Sequence, residues 1–292
     1  MINHTDHKLG TMKEYTVSLP NGLRVRTLDD GNGPILLLLH GNPDNADEWK
    51  PLIELLRDNF RCIAPDLPGY GRQDSTYPLP ASYDYSREVQ ISFVDDLLAQ
   101  LNIPGKITLV VHDIGGIMGV PWAARHVDKL DAMIYTNTVV FPKHKWFNLA
   151  YRWGNDSSTG RPIANLSMAA LGWFQGALFR RIFSRQNPQL PTLELDRFVT
   201  DFALNPIAQQ TSLCEFRQIT KFSFFDGYDV FLKTISDSVP TVALWGEGDP
   251  YIPTHSPEEL LAQKTIVLPK VGHWVPIIAA DVLAQNIRAV FS

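Results

Sequence analysis

Cysteine is scarce: Cys62 and Cys214 are the only two in 292 residues. Two cysteines cannot build a disulfide framework, and as reduced, buried thiols they fit a reducing compartment. Long hydrophobic runs are missing as well. The longest purely apolar run is Ile35 to Leu39, far short of the ~20 residues of a membrane span. The N-terminal Met-Ile-Asn-His-Thr-Asp-His-Lys lacks a basic segment followed by an apolar one, so no secretory signal is read there. Excess positive charge is also absent. A net charge of −5 gives no reason to expect nucleic acid or an anionic membrane as partner. Together these absences predict a soluble, cytoplasmic protein with a small-molecule substrate.

What is present is the composition of a globular protein, with 45% hydrophobic residues and non-repetitive Gly and Pro (19 and 21). That excludes disorder, collagen and coiled coil. The length suits two domains of roughly 100–200 residues, or one α/β domain with an insertion.

The first part of the chain alternates strand and helix signals. Thr16–Leu19 and Leu23–Leu28 flank Pro20-Asn21-Gly22, a hairpin signal. Ile35–Leu39 is a continuous apolar strand, as in a sheet covered on both faces. Trp49–Leu56 has helical spacing, Cys62–Pro65 is the next strand, and Val89–Leu101 is again helical. Strands at Ile107–Val111 and Met133–Tyr135 bracket a helix at Gly115–His126. Such alternation means a mostly parallel sheet with helices on both faces. The rhythm breaks after about Val139. Residues 140–235 show no comparable strand but amphipathic helical stretches such as Leu166–Phe183 and Leu193–Phe202. This reads as a helical cap inserted into a core of residues 1–139 and 236–292. Strands at Thr241–Trp245 and Thr265–Leu268 and a helix at Val282–Phe291 complete the core.

The most informative segment is Leu109-Val110-Val111-His112-Asp113-Ile114-Gly115-Gly116. A strand runs into a sharp turn and a helix starts at once, the geometry that lifts a nucleophile above a sheet. Asp113 occupies the nucleophile position. An Asp that merely caps the next helix is the plainer reading of this segment alone. Two further segments argue against it. Asp249 follows the strand Thr241–Trp245, and His273 follows Thr265–Leu268. The order nucleophile, acid, histidine is that of a hydrolase triad. Asn42, in His40-Gly41-Asn42-Pro43 after the strand Ile35–Leu39, offers a backbone N–H that can complete an oxyanion hole with that of Ile114.

On these motifs the chain resembles the α/β-hydrolase superfamily over nearly its whole length. His-Gly-Asn-Pro, Pro65-Asp66-Leu67-Pro68-Gly69-Tyr70-Gly71, the Asp elbow and Gly272-His273-Trp274 resemble the haloalkane dehalogenase and epoxide hydrolase branch. The fold implied is an α/β-hydrolase core, a mostly parallel sheet flanked by helices, with an inserted helical cap.

An aspartate nucleophile narrows the chemistry. A carboxylate is already ionised at neutral pH. It displaces a leaving group from saturated carbon and forms an alkyl ester. His273, oriented by Asp249, then activates a water that attacks the carbonyl carbon of Asp113. No metal or organic cofactor is required, and no metal-binding or phosphate-binding motif is present. Hydrolysis of small haloalkanes to alcohols is the first reading. The side-chain amide of Asn42 suits a halide, while Ile114 stands where these dehalogenases carry a Trp whose indole holds it. Trp146, Trp153 and Trp173 are candidates for a second donor, each also readable as packing within the cap. Epoxide opening to a vicinal diol is the alternative. The resemblance there implies a pair of cap tyrosines as the acid, but Trp146-Phe147 and Glu215-Phe216-Arg217 stand where they belong. Tyr151 and Tyr228 are the substitutes. The second alternative is a ligand-binding protein on the same fold with faded catalysis, which has no need of three separated catalytic residues. Glu247 is the competing acid to Asp249. Asn137 cannot serve as an acid, Asp66 reads as a turn-stabilising residue, and His112 as structural.

Overall fold

The computed structural model describes residues 12–80, 83–140, 148–252 and 256–291. Eight strands form one sheet: β1 (Glu14–Ser18), β2 (Arg24–Asp30), β3 (Ile35–Leu39), β4 (Arg61–Pro65), β5 (Ile107–Asp113), β6 (Leu130–Thr138), β7 (Thr241–Gly246) and β8 (Lys264–Leu268). Their order is β1-β2-β4-β3-β5-β6-β7-β8. The β1–β2 and β2–β4 pairs are antiparallel, and all others are parallel. The strands read from the sequence are all present: β3 has the same bounds, β4, β5, β7 and β8 are longer by one or two residues, β6 is longer by six, and β1 and β2 are shifted by one or two residues at their ends.

The apolar run of β3 is explained by its two neighbours. Leu37 and Leu39 join a core with Leu109, Val111, Met133 and Tyr135, whereas Leu36 and Leu38 join one with Val110, Ile134 and Leu244. Side chains alternate between faces along a strand, so a strand covered on both faces must be apolar at every position. On one face lie α1 (Lys50–Leu56) and α12 (Ala280–Val290). On the other lie α2 (Arg87–Gln100), α3 (Gly115–Arg125) and α9 (Tyr228–Ser238). The Tyr228 hydroxyl donates to the Ile117 carbonyl at 2.7 Å, fastening α9 to α3.

Between β6 and α9 the described residues contain helices and no strand. They include α4 (Asn148–Trp153), α5 (Gly160–Ala169), α6 (Ala177–Gln186), α7 (Thr192–Phe198) and α8 (Pro206–Ile219). The sequence reading of one helical stretch from Leu166 to Phe183 is corrected. Phe174, Gln175 and Gly176 all take left-handed backbone (φ 55°, 56° and 74°), which ends one helix and starts another. Leu193–Phe202 likewise divides into α7 and a π-helical turn at Val199–Ala203. Two short helices near the C-terminus are α10 (Ser256–Glu259) and α11 (Val275–Ile278).

These helices are tied to the sheet by specific contacts. Phe183, Phe198 and Trp274 form an aromatic cluster with centroids 4.6–5.9 Å apart. The Trp274 indole donates to Asn187 at 3.1 Å. Arg197 pairs with buried Asp44, and Asn45 donates to Asp201 at 3.0 Å. Of the cysteines, Cys62 is buried, Cys214 is half-buried, and both are free thiols. No described helix is long and apolar enough to cross a membrane.

Close approach of α3 to the sheet sets the turn after β5. A Cβ on Gly115 would lie 2.3 Å from the Leu39 carbonyl oxygen and 2.9 Å from that of His40. Backbone cannot yield as a flexible side chain can. Gly115→Ala is therefore expected to destabilise the fold by about 1–3 kcal/mol, the range for overpacking. Gly105→Ala, with open space around the new Cβ, is the neutral control. Urea unfolding midpoints check both, and equal midpoints would contradict the tight approach.

Candidate active site

Strands β3, β5, β7 and β8 are parallel, so the loops that follow them emerge at one edge of the sheet. In open α/β sheets this is the edge that binds ligands. Asp113 ends β5 with φ +46°, a left-handed turn uncommon for a residue with a side chain. Its carbonyl accepts from the Thr138 hydroxyl at 2.7 Å and the Val139 N–H at 3.2 Å. Those bonds hold the turn in place.

The turn throws the Asp113 carboxylate toward two partners. Oδ1 accepts the backbone N–H of Asn42 at 2.9 Å. Oδ2 faces His273 Nε2 at 3.7 Å, too far for a hydrogen bond. The other imidazole nitrogen, Nδ1, lies 2.7 Å from Asp249 Oδ2. Asp249 is in turn held by the N–H groups of Tyr251 and Ile252 at 2.7 and 3.0 Å and by the Asn137 amide at 2.6 Å. Asn137 reaches it because the β5–β6 register slips at Asp113, opposite Thr138 rather than Asn137. Glu247 is exposed, outside this arrangement.

Burial pushes the Asp113 carboxyl above its ordinary value, while the charges of His273 and His112 and the N–H groups of Asn42 and Ile114 pull it down. For Asp249, burial is outweighed. The His273 ring and the two loop amides hold its carboxyl below the usual range. Asp249 is thus kept as an anion beside the imidazole, fixing Nδ1 as the protonated nitrogen.

The loop that brings Asn42 to Asp113 is itself anchored. Buried His40 accepts the Leu67 N–H at Nε2 (2.8 Å), which leaves Nδ1 to donate to the Gly41 carbonyl at 2.8 Å. Burial lowers His40 to about 4, so it acts as a neutral ring. Asp66 is buried, paired with Arg26 at 2.8 Å, and accepts the Ala46 N–H at 2.9 Å. A Cβ on Gly41 would meet Asp113 Cβ at 2.7 Å, so only glycine lets this loop pass the carboxylate.

A cavity of about 380 Å³ opens above Asp113. Asn42, Ile114, Tyr251, Ile252 and His273 line one side. Trp153, Leu171, Phe179, Ile182, Phe183 and Phe216 supply much of the other. Sequence reasoning missed most of these, because an apolar residue on an amphipathic helix looks the same whether it faces a core or a pocket. Of the candidates from 140–235, Trp153 lines the cavity, with its indole donating to Ser167 Oγ at 2.9 Å. Tyr151 and Trp173 are exposed and do not line it. Tyr228 is buried against Ile117, away from it. Trp146 lies outside the described residues. Among the described residues, no group of three or more His, Cys, Asp or Glu side chains is placed to hold a metal ion.

The Asn42 side chain is the polar feature of this cavity. Its Oδ1 accepts from Ser212 Oγ at 3.2 Å, while Nδ2 is buried without a partner. An orphaned buried donor is costly unless something else fills the need. The Ser212 hydroxyl continues to Tyr70 at 3.2 Å, and the Tyr70 hydroxyl hydrogen-bonds with Glu215 Oε2 at 2.6 Å.

Comparison with known proteins places this geometry in context. A family model described as alpha/beta hydrolase fold matches residues 34–280. The chain is 39% identical over 126 residues to a cis-3-alkyl-4-alkyloxetan-2-one decarboxylase of Xanthomonas campestris, covering 41% of this chain and 42% of that protein. It is 33% identical over 122 residues to a haloalkane dehalogenase of Sphingobium indicum, covering 41% and 40%. The chain thus matches about two fifths of the length of these relatives. A crystal structure of an epoxide hydrolase from Vigna radiata superposes with a TM-score of 0.74, at 18% identity over 96% of this chain and 97% of that one.

Behind Asp113 and His273, buried His112 lies 3.0 Å from Glu48 Oε1, and its Nε2 lies 3.1 Å from the His273 carbonyl. Burial opposes the imidazolium, but the charge and hydrogen bond of Glu48 raise His112 to about 8. A histidine raised on folding stabilises fully below about 6.5 and loses that contribution as pH rises through about 8. Between pH 6 and 9 the native protein should therefore lose about 2 kcal/mol more than His112→Gln. Urea unfolding across that range measures the difference, and parallel curves would contradict the assignment.

Proposed function

The chain belongs to the alpha/beta hydrolase fold family, and we propose that Asp113 is its nucleophile, forming an alkyl ester that His273 and Asp249 then hydrolyse. The observation that carries this reading is the asymmetry around the carboxylate. One oxygen is fixed by the Asn42 N–H at 2.9 Å, and the other faces a histidine across 3.7 Å. A hydrogen bond there would mark a resting ion pair. A gap suits a water that His273 deprotonates once Asp113 is esterified. In the first step Asp113 Oδ2 bonds to saturated carbon and the leaving group departs with its electron pair. In the second, hydroxide adds to the carbonyl carbon of Asp113. The developing oxyanion meets the N–H groups of Asn42 and Ile114, and the alcohol leaves with the oxygen that Asp113 contributed. Residues 140–235 act in this proposal as the cap over a core of 1–139 and 236–292, with α9 as the return to the core.

Small haloalkanes are the substrate class favoured by the leaving-group side. A halide ion needs a donor and no proton. Asn42 Nδ2 is a buried donor without a partner, at the wall of a mostly apolar cavity. Ile114 offers no second side-chain donor, and the Trp153 indole already donates to Ser167, so Asn42 carries the task without an indole beside it. Epoxide opening is less well served, because Tyr151 and Tyr228 both stand away from the cavity. The Xanthomonas relative favours a second reading, a β-lactone substrate. The same attack on the ring carbon bearing oxygen would release a carboxylate instead of a halide. Loss of carbon dioxide with expulsion of Asp113 would then give an alkene.

His273→Ala should complete the first step and stall at the second. With 1-bromobutane, intact-mass spectrometry should show one butyl group retained on Asp113. Asn42→Ala should slow bromide release about 10- to 100-fold, the worth of one charge-assisted hydrogen bond to a buried anion. If His273→Ala retains no butyl group from 1-bromobutane and the native protein forms no alkene from a β-lactone, the protein is a binder on this fold or uses other chemistry. Normal bromide release by Asn42→Ala would remove Asn42 from the leaving-group site.

A further inference from the structure

We propose that Glu215 is a positioning residue which, acting through Tyr70 and Ser212, decides which end of the Asn42 side-chain amide is turned to the cavity. Four groups stand in a row, Glu215, Tyr70, Ser212 and Asn42, joined by three contacts of 2.6, 3.2 and 3.2 Å. Each contact needs one proton. The two hydroxyls supply two, so the third must come from an end of the row.

If Glu215 is protonated, it donates to Tyr70, Tyr70 donates to Ser212, and Ser212 donates to Asn42 Oδ1. Nδ2 is then the end left without a partner, beside the cavity that Asn42 lines, which is the orientation in the structure. If Glu215 is ionised, the row runs backwards. Tyr70 donates to the carboxylate, Ser212 to Tyr70, and Asn42 must supply the third proton from Nδ2. The amide turns over and presents Oδ1 to the cavity. Amide orientation is set by such networks rather than by shape.

The surroundings favour the protonated arrangement. Ser212 and Glu215 are i, i+3 on α8, hence on one face, and both are buried. The titratable groups that interact with Glu215 are Tyr70, Tyr83 and Tyr85 from the segment between β4 and α2 and Asp113 at the end of β5, while Cys214, its neighbour in the chain, interacts with Tyr85. None of these is a cation. Burial pushes the Glu215 carboxyl up to about 8, against the hydrogen bond with Tyr70 and with the charge of Asp113. Below that pH the relay turns a donor toward the leaving group. Above it the relay turns an acceptor, which repels an anion. The effect on chemistry rests on the proposed role of Asn42 as leaving-group donor, whereas the orientation itself does not.

The test separates the two. In full-length protein labelled with nitrogen-15 asparagine, the Asn42 side-chain amide signal should shift between pH 6.5 and 9.5 with a midpoint near 8. It should stay fixed in Glu215→Gln, whose amide has no proton to lose, and in Ser212→Ala, which breaks the row. On a His273→Ala background, butyl adduct formation from 1-bromobutane should fall about tenfold or more by pH 9.5 with Glu215 present, and should not fall with Glu215→Gln. A fixed amide signal in the native protein, or an equal shift in Glu215→Gln, overturns the relay. A titrating amide with no butyl adduct at any pH upholds the relay and overturns the haloalkane reading.

Discussion

The site depends on how the chain holds one carboxylate at the tip of a buried strand. Asp113 must leave β5 in a left-handed turn, a conformation that costs of order 1–3 kcal/mol for a residue with a side chain. The surrounding structure stabilises it. Thr138 and Val139 bind its carbonyl, Asn42 binds its carboxylate, and Gly41 and Gly115 leave room for the loop and the helix on either side. These groups lie at the ends of three neighbouring strands, β3, β5 and β6, or just beyond them, so only the assembled sheet presents the carboxylate in this pose.

The second dependence is electrostatic. Three carboxylates, Asp113, Asp249 and Glu48, lie against two histidines in a buried site. Their order is kept by making each contact unlike its neighbours. Asp249 is saturated with donors and stays an anion. Asp113 takes the N–H groups of Asn42 and Ile114 and keeps one open face toward His273. His112 lies between Glu48 and the backbone of His273, behind the site and outside the cavity lining. Asp249 and Asp113 are thus given different characters by their surroundings, one held fast against an imidazole and one left with an open face.

The sequence revealed the parts of this arrangement that rest on period and order. Ile35–Leu39 read as a doubly covered strand because alternation puts adjacent leucines on opposite faces. Asp113, Asp249 and His273 stood out because each follows a strand, and parallel strands deliver such residues to one edge. The helices above that edge were far less legible. Leu166–Phe183 looked continuous, since three left-handed residues leave no mark in an amphipathic pattern. Tyr151 and Trp173 looked like pocket residues but turn outward, and Tyr228 turns to α3. Glu215 was noted only as a missing tyrosine. Its link to Asn42 joins positions 173 residues apart in sequence through two hydroxyls, and nothing local in the chain encodes that.

The central claim is that Asp113 is consumed and regenerated in each turnover. The most direct measurement is a single turnover of 1-bromobutane by excess enzyme in oxygen-18 water, followed by mass spectrometry of the peptide containing Asp113. The account predicts that Asp113 gains one heavy oxygen while the butanol of that first turnover carries the ordinary isotope. Heavy oxygen in the first butanol with none in Asp113 would mean that water attacks the substrate directly, and would contradict it.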